Sequence, residues 1–329
     1  MTIVPFEEAV TWIEEPLPDG PSELIPGLLP KRGQLMIAGE TEVGKSLVAL
    51  EISSALLTGT PLWGSVPVAE VVERVVYILG EHDPDIIQSL WNKTKLKAPT
   101  ESLALMGPDV FPEHFVISGG FRQAESAHQL RTWVRGAGLV IFDPLTSFIR
   151  GVDAENDNIQ MRMLVDTLTQ AAHAEGAACL VLAHVGKPHF LDGKPSARAK
   201  YAIRGASGTE DAATNIFYLE RLSEDEEDAL LFRLKKRKYK GTAPDYYYLS
   251  RDKATLTHTL LEGRRPRVEA RRQQFQDKVA RAQTEFPDQT RSCLIESLAR
   301  IEGISRRTAF RYIEGQVDDS LPAHTPDED

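Results

Sequence analysis

Short unbroken apolar runs alternate with longer helical patterns through the middle of the chain. QLMIAG (34–39), RVVYIL (74–79), LVIFD (139–143) and CLVLAH (179–184) are almost wholly apolar and rich in Leu and β-branched residues. Runs of this length without polar alternation predict strands buried on both faces. SLVALEISSALLTG (46–59) and IQMRMLVDTLTQAAHAEG (159–176) have helical spacing instead, Thr58-Gly59 gives the first of them a stop, and Pro84–Trp91 reads as a further helix. NIFYLER (215–221), ALLFRLKKR (229–237), YYYLSR (246–251) and ATLTHTLLE (254–262) then form a strand series that closes the domain. Strands alternating with helices predict an α/β fold, a mainly parallel sheet covered on both faces.

The flanks read differently. Residues 1–30 are rich in Pro and Glu and predict an irregular lead-in to an α/β domain at 31–262. A polar, helix-prone stretch at 263–289 suits a linker or connecting helix. A small helix-turn-helix-like module is expected at 290–316. Its first helix would carry Leu294, Ile295, Leu298 and Ile301 on one face, Gly303 would break it, and Ser305 would cap a second helix with Phe310 and Ile313 inward. Residues 317–329 predict a disordered acidic tail.

Composition narrows the classes. The chain has 329 residues, 42% hydrophobic and 26% charged, enough for a full core without crosslinks. Two cysteines, Cys179 and Cys293, exclude a disulfide framework and a Cys-rich metal site. The N-terminus has no signal-like basic and apolar regions, and no run of about 18 apolar residues occurs, so a cytoplasmic protein without membrane association is expected. The net charge of −10 argues against a nucleic-acid coat protein, yet residues 231–241 carry six cations and no acid. Local basic patches on an acidic chain keep nucleic-acid contact open.

Gly39-Glu40-Thr41-Glu42-Val43-Gly44-Lys45-Ser46 fits G-x-x-x-x-G-K-[ST] in full, between an expected strand and an expected helix. In such a loop the glycines turn backbone N–H groups toward a phosphate and the helix N-terminus adds its dipole. Lys45 would reach the β/γ-phosphates of ATP, and Ser46 would ligate Mg2+. Asp143, at the tip of LVIFD, would hold the Mg2+ through water. Hydrolysis also needs a group that orients water. Glu81 is the preferred candidate, at the tip of a strand expected beside the phosphate-loop strand; Asp83 competes, one of the two acids serving only as a helix cap, and His82 is a bystander. His184, ending CLVLAH, could sense the γ-phosphate or be a structural histidine.

These motifs, in this order over roughly residues 25–260, resemble the RecA-like ATPases of the DnaB/RadA branch, and most of all plasmid replicative helicases of the RepA type. The resemblance implies a ring, commonly a hexamer, with ATP between subunits. It implies that Glu81 is the catalytic glutamate, Asp143 the Walker-B aspartate and His184 the sensor. It places a cationic finger acting on the neighbouring subunit at Lys235 and Arg237, with Lys236 and Lys238 also open. A solvated basic edge strand would have the same composition.

Two further basic segments bear on DNA. Residues 186–208 carry Lys187, Lys194, Arg198, Lys200 and Arg204 with four glycines, which suits a channel loop tracking a single strand or an ordinary surface loop. Residues 150–160 are acidic and unsuited to that task, a departure from the resemblance. Arg306, Arg307 and Arg311 would lie on the second helix of the small module, as on a recognition helix, although protein-docking modules share the pattern. The leading expectation is a DNA-dependent ATP motor. A non-motor ATP switch acting through the C-terminal module is the alternative, and a small-molecule kinase comes third.

Overall fold

The computed structural model of the protein describes residues 22–81, 83–107, 128–148, 158–185, 190–191, 194–195, 203, 208–221, 229–237, 244–261, 280, 291–301, 306 and 309–310. In chain order the elements are β1 (Glu23–Ile25), β2 (Leu29–Pro30), β3 (Gln34–Gly39), α1 (Lys45–Thr58), β4 (Val75–Leu79), α2 (Pro84–Thr94), β5 (Leu103–Met106), β6 (Leu139–Asp143), a 3-10 turn (Leu145–Phe148), α3 (Asn158–Ala174), β7 (Ala178–His184), β8 (Phe190–Leu191), β9 (Lys194–Pro195), α4 (Gly208–Ala212), β10 (Asn215–Arg221), β11 (Ala229–Arg237), β12 (Tyr246–Arg251), β13 (His258–Leu260) and α5 (Arg291–Ile301). The chain divides into two units, residues 1–187 with 202–261, and residues 188–201 with 262–329.

The first unit is built on a sheet of nine described strands in the order β13-β12-β11-β10-β3-β7-β6-β4-β5. From β10 to β5 all neighbours run parallel. The pairs β10–β11, β11–β12 and β12–β13 are antiparallel. This is the mostly parallel sheet of a RecA-like α/β P-loop core. One expectation is corrected: β4 is not beside β3, because β7 and β6 are paired between them. Adjacency in sequence suggested the wrong neighbour, since the intervening strands come later in the chain.

α1 is apolar around nearly its whole circumference, and all but its last residue and Ser46 are buried. Such a helix belongs inside the protein. It shares a core with Leu35, Ile37, Tyr77, Ile141, Leu180 and Phe217, alternate positions of the parallel strands. Leu24, Ile25, Leu28 and Leu29 enter the same core from the β1–β2 hairpin, so residues 22–30 are not the irregular lead-in expected. Gly27, at φ 68, allows the reversal that brings these four side chains together. α3 buries Met161, Leu164, Val165, Leu168 and Ala171 and packs against β7.

Two strands differ from expectation. β5 is short and only half-buried, and gave no strong apolar run. The stretch expected as a strand from 254 begins only at His258, because the Asp252 carboxylate accepts the Ala254 and Thr255 amides and closes a turn. Hydrogen bonding from those two amides and the Thr255 hydroxyl holds that carboxyl below its ordinary range.

Behind the antiparallel strands, Phe217 and Phe232 stack at 4.6 Å, and Trp63 meets Phe232 edge-on at 5.5 Å. Beside them lies a buried polar knot. Glu51 of α1 accepts from Trp63 Nε1 at 3.0 Å, from the His258 amide at 2.5 Å and from His258 Nδ1 at 2.8 Å. His258 Nε2 is buried with no partner among the described residues.

In the second unit β8 and β9 pair antiparallel. α5 buries Ile295 and Ala299, as an amphipathic helix would. Phe310, expected inward, is 51% exposed, and its neighbour Ala309 is buried instead. The inward stripe of that segment is thus displaced by one residue. Gly303, Ser305, Ile313, His82, the 263–289 linker except Ala280, the 317–329 tail and residues 1–21 lie outside the described residues. Among the described residues no helix is long and apolar enough to cross a membrane, and both cysteines are free.

Candidate nucleotide-binding site

β3 delivers its C-terminal end into the 39–46 loop, and α1 starts at Lys45. The loop is tight at its root. A Cβ on Gly39 would lie 2.6 Å from the Leu219 carbonyl oxygen and 2.9 Å from Val43 Cγ1. Glu42 at φ 63 and Gly44 at φ 108 both take left-handed backbone. Alternation of this kind turns successive N–H groups to one side and forms an anion nest at the helix N-terminus.

Lys45 is 6% exposed. Its ammonium donates to the carbonyls of Gly39 at 3.0 Å and Glu40 at 2.7 Å, and lies 3.3 Å from His184 Nδ1. Burial pushes its pKa down to about 8, while the carboxylates of Asp143, Glu40 and Glu81 pull the other way. His184 is half-buried at the end of β7, in register with Gly39.

Asp143 ends β6 and is 5% exposed. Its Oδ2 accepts two hydroxyls, Ser46 Oγ at 2.7 Å and Tyr77 OH at 2.7 Å. Burial, then the Asp143 charge, hold the Tyr77 phenol well above its ordinary pKa, so it stays an O–H donor. Tyr77 was hidden in RVVYIL, where it reads as one more core aromatic. Its hydroxyl, the one side-chain polar atom of β4, was the signal that could have marked it.

Gly80 follows β4, and its amide donates to the Asp143 carbonyl at 2.9 Å. A Cβ there would meet Ser147 Cβ at 2.3 Å, so the turns after β4 and β6 are in close contact. Glu81 comes next, exposed, with its charge felt by Lys45. Asp83 is the N-cap of α2, its side chain accepting the Asp85 amide at 3.1 Å. Of the two acids, Asp83 therefore has a structural duty and Glu81 has none among these contacts.

The AAA domain family matches residues 5–189, which include the phosphate loop, Glu81, Asp143 and His184. The chain belongs to that family. No curated protein matches the sequence significantly. Among solved structures, this AAA domain is similar to the ATPase domain of a helicase, at 13% identity and a TM-score of 0.49, over 70% of this chain and 86% of that one. It is also similar to the KaiC-like protein PH0186 from Pyrococcus horikoshii OT3, at 13% identity and a TM-score of 0.45, over 74% of this chain and 100% of that one. The fold assignment stands on the sheet order and the phosphate loop themselves. Membership in a P-loop ATPase family implies nucleotide binding, and Ser46 with Asp143 offers the hard oxygen donors that suit a Mg2+ shared with nucleotide phosphates.

The AAA domain places the remaining candidates elsewhere. The Lys235 ammonium meets the Glu210 carboxylate, donates to Tyr218 OH at 3.0 Å and sits 5.3 Å over the Tyr218 ring. Arg237 ends β11 opposite Asn215, which is in register with Leu35 near the start of β3. That end of the sheet is opposite the one carrying the phosphate loop. Lys194 opens β9. Arg306 bonds Glu296 at 2.7 Å and Ser292 Oγ at 2.6 Å. Lys187, Arg198, Lys200, Arg204, Arg307, Arg311 and Lys238 lie outside the described residues.

Proposed function

We propose that the protein hydrolyses ATP as a ring-forming motor on DNA, a helicase-like ATPase of the plasmid replicative type. One observation carries the hydrolytic part: Lys45, Ser46 and Asp143 converge at one rim of the sheet, and Glu81 follows the strand paired with that of Asp143. ATP would draw the Lys45 ammonium from the Gly39 and Glu40 carbonyls to its β- and γ-phosphates. The loop amides and the start of α1 would take the β-phosphate. Ser46 and Asp143 would hold Mg2+, which supplies charge neutralisation on the phosphoryl oxygens. Glu81 orients the attacking water, and His184, already beside Lys45, reports the state of the γ-phosphate.

The finger role falls to Arg237 in preference to Lys235, whose ammonium is engaged within its own chain. Because β11 ends at the rim away from the chain's own phosphate loop, Arg237 would act on a neighbouring subunit. DNA contact is assigned to the basic 187–204 loop, with Arg307 and Arg311 of the C-terminal module added. Arg306 supports the fold of that module through Glu296.

Steady-state ATP turnover with and without single-stranded DNA, with Lys45→Ala as the blank, tests the proposal. Strong stimulation by DNA, lost when Lys187 to Arg204 are neutralised, supports the motor. Slow turnover indifferent to DNA, changed by removal of 264–329, would refute it in favour of a switch. Glu81→Gln is expected to keep ATP bound and block turnover.

A further inference from the structure

The Asp143 carboxylate is held by two hydroxyls from different elements. Ser46 reaches it from the first turn of α1, and Tyr77 from the middle of β4. The two differ in freedom. Ser46 is partly exposed and belongs to the phosphate loop itself, so binding can reorganise it. Tyr77 is wholly buried, on a strand whose register with β6 fixes Tyr77 opposite Ile141 and Leu79 opposite Asp143. Both hydroxyls address Oδ2, which leaves Oδ1 as the oxygen they do not hold.

We propose that Tyr77 is a positioning residue: its phenol fixes the plane of the Asp143 carboxylate and thereby sets how strongly Mg2+ strengthens nucleotide binding. The proposal rests on the reading of Ser46 and Asp143 as the Mg2+ residues. A buried phenol cannot trade this bond for water, so the carboxylate stays aimed when Ser46 turns to the cation. Outer-shell donors of this kind are typically worth about 10- to 100-fold in metal affinity.

The test is equilibrium binding of a fluorescent, non-hydrolysable ATP analogue to the full chain, titrated with Mg2+. Tyr77→Phe removes one oxygen from a packed site and preserves its shape. Its Mg2+ half-saturation is expected to rise about tenfold or more, with metal-free affinity and melting midpoint close to the parent. In an Asp143→Asn background the same change is expected to have no further effect on Mg2+. A Mg2+ dependence equal to the parent's overturns the role of Tyr77 alone. An equal loss of metal-free and Mg2+-dependent binding overturns it in favour of a packing role. If the parent itself binds no tighter with Mg2+, the reading of Ser46 and Asp143 fails first.

Discussion

The polar knot around Glu51 gives a sharp test of how the core is held. Glu51 is 5% exposed, and three donors converge on its carboxylate: the Trp63 indole, the His258 amide and the His258 ring. Glu51→Ala removes all three acceptors and adds a void. A buried donor left unpaired costs about 1–3 kcal/mol, and breaking a buried charged pair from one side costs about 3–5 kcal/mol in all, since such losses do not add. Taking about 4 kcal/mol, at about 2–4 °C per kcal/mol for a domain of this size, the melting midpoint should fall by about 8–16 °C. Thermal denaturation followed by circular dichroism reads this directly. A double-mutant cycle with His258→Ala should show the two changes costing less together than their sum, by about 1 kcal/mol or more. A Glu51→Ala midpoint within about 3 °C of the parent would refute the reasoning, since the knot would then contribute less than a single ordinary hydrogen bond.

Three other outcomes follow from the site. Because burial holds Lys45 near 8 and phosphates favour its charged form, binding above that pH must take up a proton; nucleotide affinity should be flat below about pH 8 and fall toward tenfold per pH unit above it, and a titration flat through about pH 9.5 would contradict this. Gly39→Ala drives a Cβ against the Leu219 carbonyl and should weaken nucleotide binding severely while destabilising the domain by about 1–3 kcal/mol; parental affinity by calorimetry would mean the loop root yields more than its packing implies. Asp83→Ala removes a helix cap worth about 1 kcal/mol and should leave turnover intact, whereas loss of turnover with ATP still bound would move the water-orienting role from Glu81 to Asp83.

Local chemistry in this chain was legible and long-range pairing was not. The phosphate loop could be read because its glycines and Lys45 obey constraints set within eight residues. The buried strands could be read because unbroken runs such as LVIFD have few other uses. Strand order could not: nothing in RVVYIL states that β6 and β7 will separate it from β3. Glu51 looked like the solvent-facing charge of a helix, and its partner His258 lies 207 residues away. Tyr77 looked like core, and only the register of β4 on β6 brings its hydroxyl to Asp143. Phe310 was placed inward by size, but the small Ala309 takes the packed position.

The crowding at Gly39 has a mechanical meaning. The backbone of β10 bears on the root of the phosphate loop through the Leu219 carbonyl, with no room for even a methyl group between them. A joint without clearance passes displacement on, since close-packed interiors compress little. A slide of β10 along β3 therefore moves the loop that cradles phosphate, and is not lost in slack. The hairpin partner of β10 ends in Arg237 at the far rim of the same sheet. The sheet is in this sense a stiff rod, with a guanidinium-bearing residue at one end and the phosphate cradle at the other.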